Sequence, residues 1–169
     1  MWQNEIKEAY EIIIQNSINQ NYTVRSWEDI SEALIKLVKE KNCLIPYCKH
    51  ENQIIGALII FETGKRPSYL FGGTIRTKPN LKVGQFMHFE MMKYSINNNY
   101  EFYDLLVGGV SGVIKFKESM GGVAYKFIEP RYWVMNTLLF KLYEKFLPKL
   151  QKNKVLISKI LKLVKWTSY

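Results

Sequence analysis

The feature that most restricts this chain is the run Ile54-Ile55-Gly56-Ala57-Leu58-Ile59-Ile60-Phe61. Eight apolar residues without polar alternation are the mark of a strand covered on both faces, not of one with a solvated side. Such a strand needs cover on each side, and the flanking sequence offers it. Residues 3–19 place Ile6, Tyr10, Ile13, Ile14 and Ser17 at three- and four-residue spacing, which predicts an amphipathic helix. Ser26 is a good N-cap for a second helix, with Asp29 three residues later and Ile30, Leu34, Leu37 and Val38 on one face.

The remaining elements follow from turn chemistry. An extended stretch over residues 43–48 and a turn at 49–53 make a hairpin with the apolar run. Gly64-Lys65-Arg66-Pro67 reads as a turn before a third strand at 68–75. Pro79-Asn80 opens a long helix over 81–97, and Asn97-Asn98-Asn99 closes it. A fourth strand is predicted at 101–107, then Gly108-Gly109-Val110-Ser111-Gly112, a short helix over 113–119, Gly121-Gly122 and a last strand at 123–128. Beyond Pro130 the pattern is helical, with a break expected at Pro148. The expectation is an α/β fold: a mixed central sheet flanked by helices, in a module over residues 1–130, followed by a basic helical C-terminal tail over 131–169. Ligands in such sheets sit at the carboxyl ends of strands, which singles out the loops after Ile75 and Val107.

Composition narrows the class. The 169 residues are 47% hydrophobic and 23% charged, enough apolar material for a core and too much for a disordered chain. Two cysteines build no disulfide framework, and no apolar run approaches the ~18 residues of a membrane span. The start, Met1-Trp2-Gln3-Asn4-Glu5, lacks the basic-then-apolar order of a signal peptide, so a cytoplasmic location is expected. The net charge of +9 is concentrated: residues 131–169 carry nine basic side chains against Glu144 alone. Lys141, Lys145, Lys149 and Lys152 recur at helical spacing, opposite Leu138, Leu139, Leu142 and Phe146. Lys159, Lys162 and Lys165 accompany Leu156, Ile160, Leu163 and Val164. A basic amphipathic helix of this kind suits an anionic membrane face, with RNA phosphates as the rival target.

Two constellations bear on chemistry. Cys43, Cys48 and His50 resemble a zinc cluster in composition only, because an odd separation puts the two cysteines on opposite faces of a strand. No metal is expected there, and His88 reads as a partly buried helix histidine. The glycine loop at 108–112 could cradle an oxyanion or phosphate with its backbone N–H groups. It lacks the lysine-hydroxyl pair of a phosphate-binding loop, and Val113 excludes the GxSxG elbow.

The residues that follow are more specific. Gly112-Val113-Ile114-Lys115-Phe116-Lys117-Glu118-Ser119-Met120-Gly121-Gly122 resembles the G-V-x-K-F-K-x-x-F-G-G element of the Fem family, with Met120 in place of the last phenylalanine. These are tRNA-dependent aminoacyltransferases that build peptidoglycan interpeptide bridges. Tyr69-Leu70-Phe71-Gly72-Gly73-Thr74, Glu90-Met91-Met92-Lys93-Tyr94-Ser95 and Tyr103-Asp104-Leu105-Leu106-Val107-Gly108-Gly109-Val110 are similar to three further family elements, in order and spacing. The likeness covers most of residues 1–146 and falls on the second of the family's two modules.

The resemblance implies a GNAT-type acyltransferase fold and amide formation. An amine on a lipid-linked or nucleotide-linked cell-wall precursor attacks the ester carbonyl of an aminoacyl-tRNA, with no cofactor. It implies Phe116 and Lys117 beside the reacting groups, with Lys117 meeting phosphate or developing negative charge. Asp104 is a further catalytic candidate, able to orient or deprotonate the amine. Tyr69, Gly108, Gly109, Ser111 and Lys115 are candidates for binding substrate. A second GNAT module, in another chain or a homodimer, is the expected source of the rest of the precursor site. Two rival readings stand beside this one. An acyl-CoA-dependent acyltransferase would need a pyrophosphate loop leading into the long helix, where residues 78–85 hold Gly84 alone. A non-catalytic module would dock on membrane or RNA through the tail.

Overall fold

A computed structural model describes residues 2–106, 111–125, 131 and 133–153. The chain divides into two compact units, Met1–Gln20 with Val24–Ala124, and Asn21–Thr23 with Tyr125–Tyr169. In the first unit the elements are α1 (Trp2–Asn19), α2 (Trp27–Lys39), β1 (Cys43–Leu44), β2 (Tyr47–His50), β3 (Gln53–Thr63), β4 (Arg66–Thr74), α3 (Val83–Asn97) and α4 (Ser111–Ser119). Ser26 caps α2 as its type predicts, its Oγ accepting the Asp29 N–H at 3.3 Å.

β3 is the axis of the sheet. β1 and β2 line one edge of it in succession and β4 lines the other, all antiparallel. Ile45 and Pro46 divide what reads in sequence as one strand at 43–48, yet the Pro46 carbonyl still accepts the Leu58 N–H at 3.0 Å. Residues 54–60 are all buried, as a non-alternating run requires. Ile54, Ala57 and Ile59 pack with Ile6, Ala9, Tyr10 and Ile13 of α1 and Leu34 of α2. Ile55, Leu58 and Ile60 pack with Val83, Met87 and Met91 of α3. Tyr10 is fully buried because its hydroxyl donates to the Arg25 carbonyl at 3.0 Å.

Several expectations are corrected. The predicted fourth strand at 101–107 is reduced to a single parallel bridge between Ser68 and Asp104. Leu106 adopts a left-handed φ of 54°, and the Asp104 carboxylate takes its N–H at 2.7 Å, so the extended run is interrupted at Leu106. Among the described residues the strands pair antiparallel and that bridge is parallel. The last predicted strand is irregular at Val123, Ala124 and Tyr125, and the rest of it lies outside the described residues. α3 begins two residues later than expected because Lys82, at φ 51°, is left-handed.

The second unit contains α5 (Thr137–Lys152). Asn136 caps it, Oδ1 accepting the Leu139 N–H at 3.0 Å. Contrary to the break expected at Pro148, the helix runs through that residue. No helix among the described residues is long and apolar enough to cross a membrane.

Close backbone packing makes one position unforgiving. A Cβ on Gly73 would lie 2.6 Å from the Ile12 carbonyl oxygen and 2.8 Å from Asn16 Cβ, so only glycine lets α1 settle on β4. Asn16 Nδ2 also donates to the Gly72 carbonyl at 3.1 Å across that contact. Gly73→Ala is expected to cost about 2 kcal/mol in chemical denaturation, the usual scale of overpacking. Gly112→Ala, in open space within α4, should leave stability within about 0.5 kcal/mol or raise it.

Candidate functional site

β4 and the segment after α3 pair where Ser68 meets Asp104. There the Tyr69 N–H donates to the Asp104 carbonyl at 2.8 Å, and the Asp104 N–H donates to the Pro67 carbonyl at 2.9 Å. Beyond it the two part company. The register on β3 passes from Ile60 opposite Tyr69 to Ile59 opposite Phe71, leaving Leu70 as a bulge. The other segment turns away at Leu106. Tyr69 and Asp104 thus stand where two paired backbones diverge.

Asp104 is tied down on both sides. Oδ1 accepts the Leu106 N–H, and Oδ2 lies 3.6 Å from Arg66 Nε. These contacts make it an anchor of the turn. Leu106 in turn offers its carbonyl to Lys117 Nζ, which donates to it at 2.9 Å. A leucine in the left-handed region is strained, and here both its backbone groups are held by candidate site residues.

Phe116 and Lys117 sit half-buried on α4, whereas Ser111, its first residue, and Lys115 are exposed. Gly108 and Gly109 lie outside the described residues. The helix ends as the Met120-Gly121-Gly122 sequence dictates. Gly121 takes φ 81°, its N–H donating to the Glu118 carbonyl at 2.9 Å, and the Gly122 N–H donates to the Lys117 carbonyl at 3.0 Å. A Cβ on Gly122 would lie 2.8 Å from that oxygen. The glycine pair therefore stops the helix just after Lys117. Burial lowers the Lys117 ammonium from its ordinary 10.5, and Asp104 acts in the opposite direction.

His88 is the buried helix histidine its sequence position suggests, but nothing in the sequence connects it to the candidate site. It is 4% exposed, with Nδ1 hydrogen-bonded to the Tyr103 hydroxyl at 2.8 Å. Tyr69 meets its ring edge-on, with centroids 4.8 Å apart, and Phe116 does so at 5.7 Å. The available signal was position alone: Val83, Met87, Met91 and Ser95 form the buried stripe of α3, and His88 borders it. Burial, and then the Lys117 charge, pull the imidazole down from 6.5 to about 4. Burial first, and then Tyr69, hold the Tyr103 phenol well above its ordinary value. Both partners are therefore neutral near pH 7. Elsewhere, Cys43 and Cys48 fall on separate strands, and burial pushes Cys43 up to about 12. Among the described residues no group of three His, Cys, Asp or Glu is placed to hold a metal.

The depressed His88 value makes a stability prediction. Between pH 6.5 and 4 the unfolded chain binds the proton that the folded chain refuses, so stability falls as pH falls through that window. The loss approaches about 3 kcal/mol by pH 4. Urea midpoints measured across that range should decline less for His88→Phe than for the unsubstituted chain.

Comparison with known proteins places this arrangement. The FemAB family pattern matches residues 2–147. Lipid II:glycine glycyltransferase of Staphylococcus epidermidis is 30% identical over 162 residues, covering 88% of this chain and 38% of that protein. The protein of the same name from Staphylococcus haemolyticus is 28% identical, covering 94% and 42%. The chain thus spans about two fifths of the length of these relatives. Among solved structures, an aminoglycoside acetyltransferase from an uncultured soil sample superposes with a TM-score of 0.59 at 14% identity, over 79% of this chain and 90% of the other. An aminoglycoside 6'-N-acetyltransferase of Acinetobacter haemolyticus gives 0.56 at 12% identity, over 79% and 94%. The fold is that of the GNAT acetyltransferases, and by its match over residues 2–147 the chain belongs to the FemAB family.

Proposed function

We propose that this chain is an acyltransferase forming an amide bond, moving an aminoacyl group from aminoacyl-tRNA to an amine of a lipid-linked or nucleotide-linked peptidoglycan precursor. The observation that carries the reading is the Phe116–Lys117 pair of a FemAB chain, held by a glycine stop beside Tyr69 and the Asp104 turn. The relatives' names, glycyltransferases acting on lipid II, make glycine the first amino acid to test.

The chemistry asks little covalent work of the protein. The neutral amine attacks the ester carbonyl, a tetrahedral oxyanion forms, and the tRNA 3′ oxygen leaves with a proton as the amide is made. Positioning and charge stabilisation suffice for an ester. Lys117, a cation next to the diverging strands, is the group to meet the oxyanion or the tRNA phosphates, exchanging the Leu106 carbonyl for the substrate. Tyr69, Lys115 and Ser111 line the approach in this reading, and Asp104 keeps the turn. A second GNAT module, in another chain or a second copy, would complete the precursor site.

One observation bears against acyl-CoA as donor. Of the amides leading into α3, the Leu81 N–H already donates to Thr77 Oγ1 at 3.1 Å and the Lys82 N–H to Asn80 Oδ1 at 2.9 Å. A pyrophosphate would have to displace both. The test is a transfer assay with labelled aminoacyl-tRNAs and precursors, with labelled acetyl-CoA in parallel. Label passing from tRNA supports the reading, and label passing only from acetyl-CoA overturns it. Lys117→Ala should lower transfer by about 10²–10³-fold without unfolding, the scale of losing one charge-stabilising donor. Unchanged transfer would remove Lys117 from the site.

The precursor's lipid and the charge of residues 131–169 go together in this reading, which places the chain at the cytoplasmic face of a membrane. On α5, Leu138, Leu139, Leu142, Tyr143 and Phe146 are exposed. At 100° per residue Lys141, Lys145, Lys149 and Lys152 run along one border of that apolar face rather than directly opposite it. A border of lysines can reach headgroups while the apolar side chains enter the interface. Lys159, Lys162 and Lys165 extend the charge outside the described residues. Sedimentation with anionic vesicles, lost with neutral ones and weakened in Lys141→Glu/Lys145→Glu, is the expected outcome.

A further inference from the structure

His88 is one imidazole touching three segments that carry the candidate residues. Tyr69 reaches it from β4; Tyr103, one residue before Asp104, hydrogen-bonds to it; and Phe116, one residue before Lys117, packs its ring against it from α4. We infer that His88 is a positioning residue for the transfer reaction, placing Lys117 through Phe116 and the Asp104 turn through Tyr103. The inference rests on the aminoacyltransferase reading above.

The dependence on His88 follows from how α4 meets the body among the described residues. None of its side chains is fully buried, and the two that are half-buried are Phe116 and Lys117. Phe116 meets α3 at His88 and comes near Gly84, where a Cβ would stand 4.0 Å from Phe116 Cζ. Lys117 reaches the Leu106 carbonyl, and the Leu106 N–H is held by Asp104, next to Tyr103. The imidazole therefore links both ends of the Lys117 contact, the helix that carries it and the turn that receives it.

The chemistry argues for placement rather than proton transfer. Facing His88 are Tyr69 from β4, Tyr103 from the segment after α3, and the Lys117 charge from α4. With a conjugate acid near 4, the ring is too weak a base to take a proton from an amino acid's ammonium, whose ordinary value is about 7.7–8.0. A neutral ring also adds no positive charge beside Lys117. The hydrogen bond to Tyr103 and the two edge contacts fix the ring plane, as a support to the site should be fixed.

The test uses the full 169-residue chain with His88→Phe, which keeps a ring and removes the hydrogen bond, Tyr103→Phe, and the double substitution. Thermal melts establish folding. Transfer from glycyl-tRNA to a lipid-linked precursor gives kcat and KM. Independently of activity, ¹³C-methylated lysines report the titration of Lys117, its resonance assigned with Lys117→Arg. Each single substitution should leave a folded protein with kcat lowered about tenfold and KM within about twofold. The double should be no slower than the slower single, since one interaction is removed twice. Lys117 should titrate higher in all three, as a loosened α4 lets water reach it. Undiminished kcat in folded His88→Phe, multiplying effects in the double, or an unmoved Lys117 titration would each overturn the inference. If the unsubstituted chain transfers nothing, that outcome bears on the functional reading and its second module, and the Lys117 titration alone decides whether His88 places that side chain.

Discussion

Burial of β3 on both faces is the constraint from which the rest of the structure follows. Ile55, Leu58, Ile59 and Ile60 are 6% exposed or less, and each contributes about 2 kcal/mol relative to an exposed position. A strand of that kind cannot tolerate an open face, so α1 and α2 must close one side and α3 the other. Its backbone must also be paired along both edges, which is why β1 and β2 continue to serve it across the Ile45-Pro46 interruption.

Two irregularities adapt that frame to a site. Opposite the Cys48–Lys49 step, Ile55 is left without a partner on β2, so Ile55 and Gly56 both turn toward α3, and Gly56 has room only for a hydrogen against Val83 and Met87. On β4 the bulge at Leu70 falls just where the Asp104 segment stops pairing. Beside that point α4 brings Lys117 to the Leu106 carbonyl and Phe116 to His88. His88 fills the junction, and its neutrality is consistent with a lysine charge close by.

Much of the candidate site was legible because it is local. Phe116 and Lys117 are adjacent, the glycines that stop α4 follow within five residues, and the reason for them is visible in the left-handed Gly121 and the crowded Gly122. The family likeness rests on such local elements, and the match over residues 2–147 agrees with it. The burial of His88 was legible, but its place at the site was not. Its partners are Tyr69, Tyr103 and Phe116, between 15 and 28 positions away, and no spacing rule connects residues held together only by packing. The same reason explains the strand expected at 101–107. Its composition favours extension, but the Asp104 carboxylate captures the Leu106 amide and turns the chain.

What the sequence determined by itself is whatever depends on neighbours along the chain. The unbroken apolar run demanded a doubly covered strand, the helical spacings fixed which faces of α1, α2 and α3 could cover it, and Ser26 marked a helix start. Tertiary structure alone decided where β4 and the Asp104 segment part, that Lys117 rests on the Leu106 carbonyl, and that a helix histidine joins three segments at the site. The physical reason is range. Periodicity and capping act over one or two turns of chain, whereas register, bulges and the burial of a titratable ring are set by groups brought together only when the sheet and its helices close.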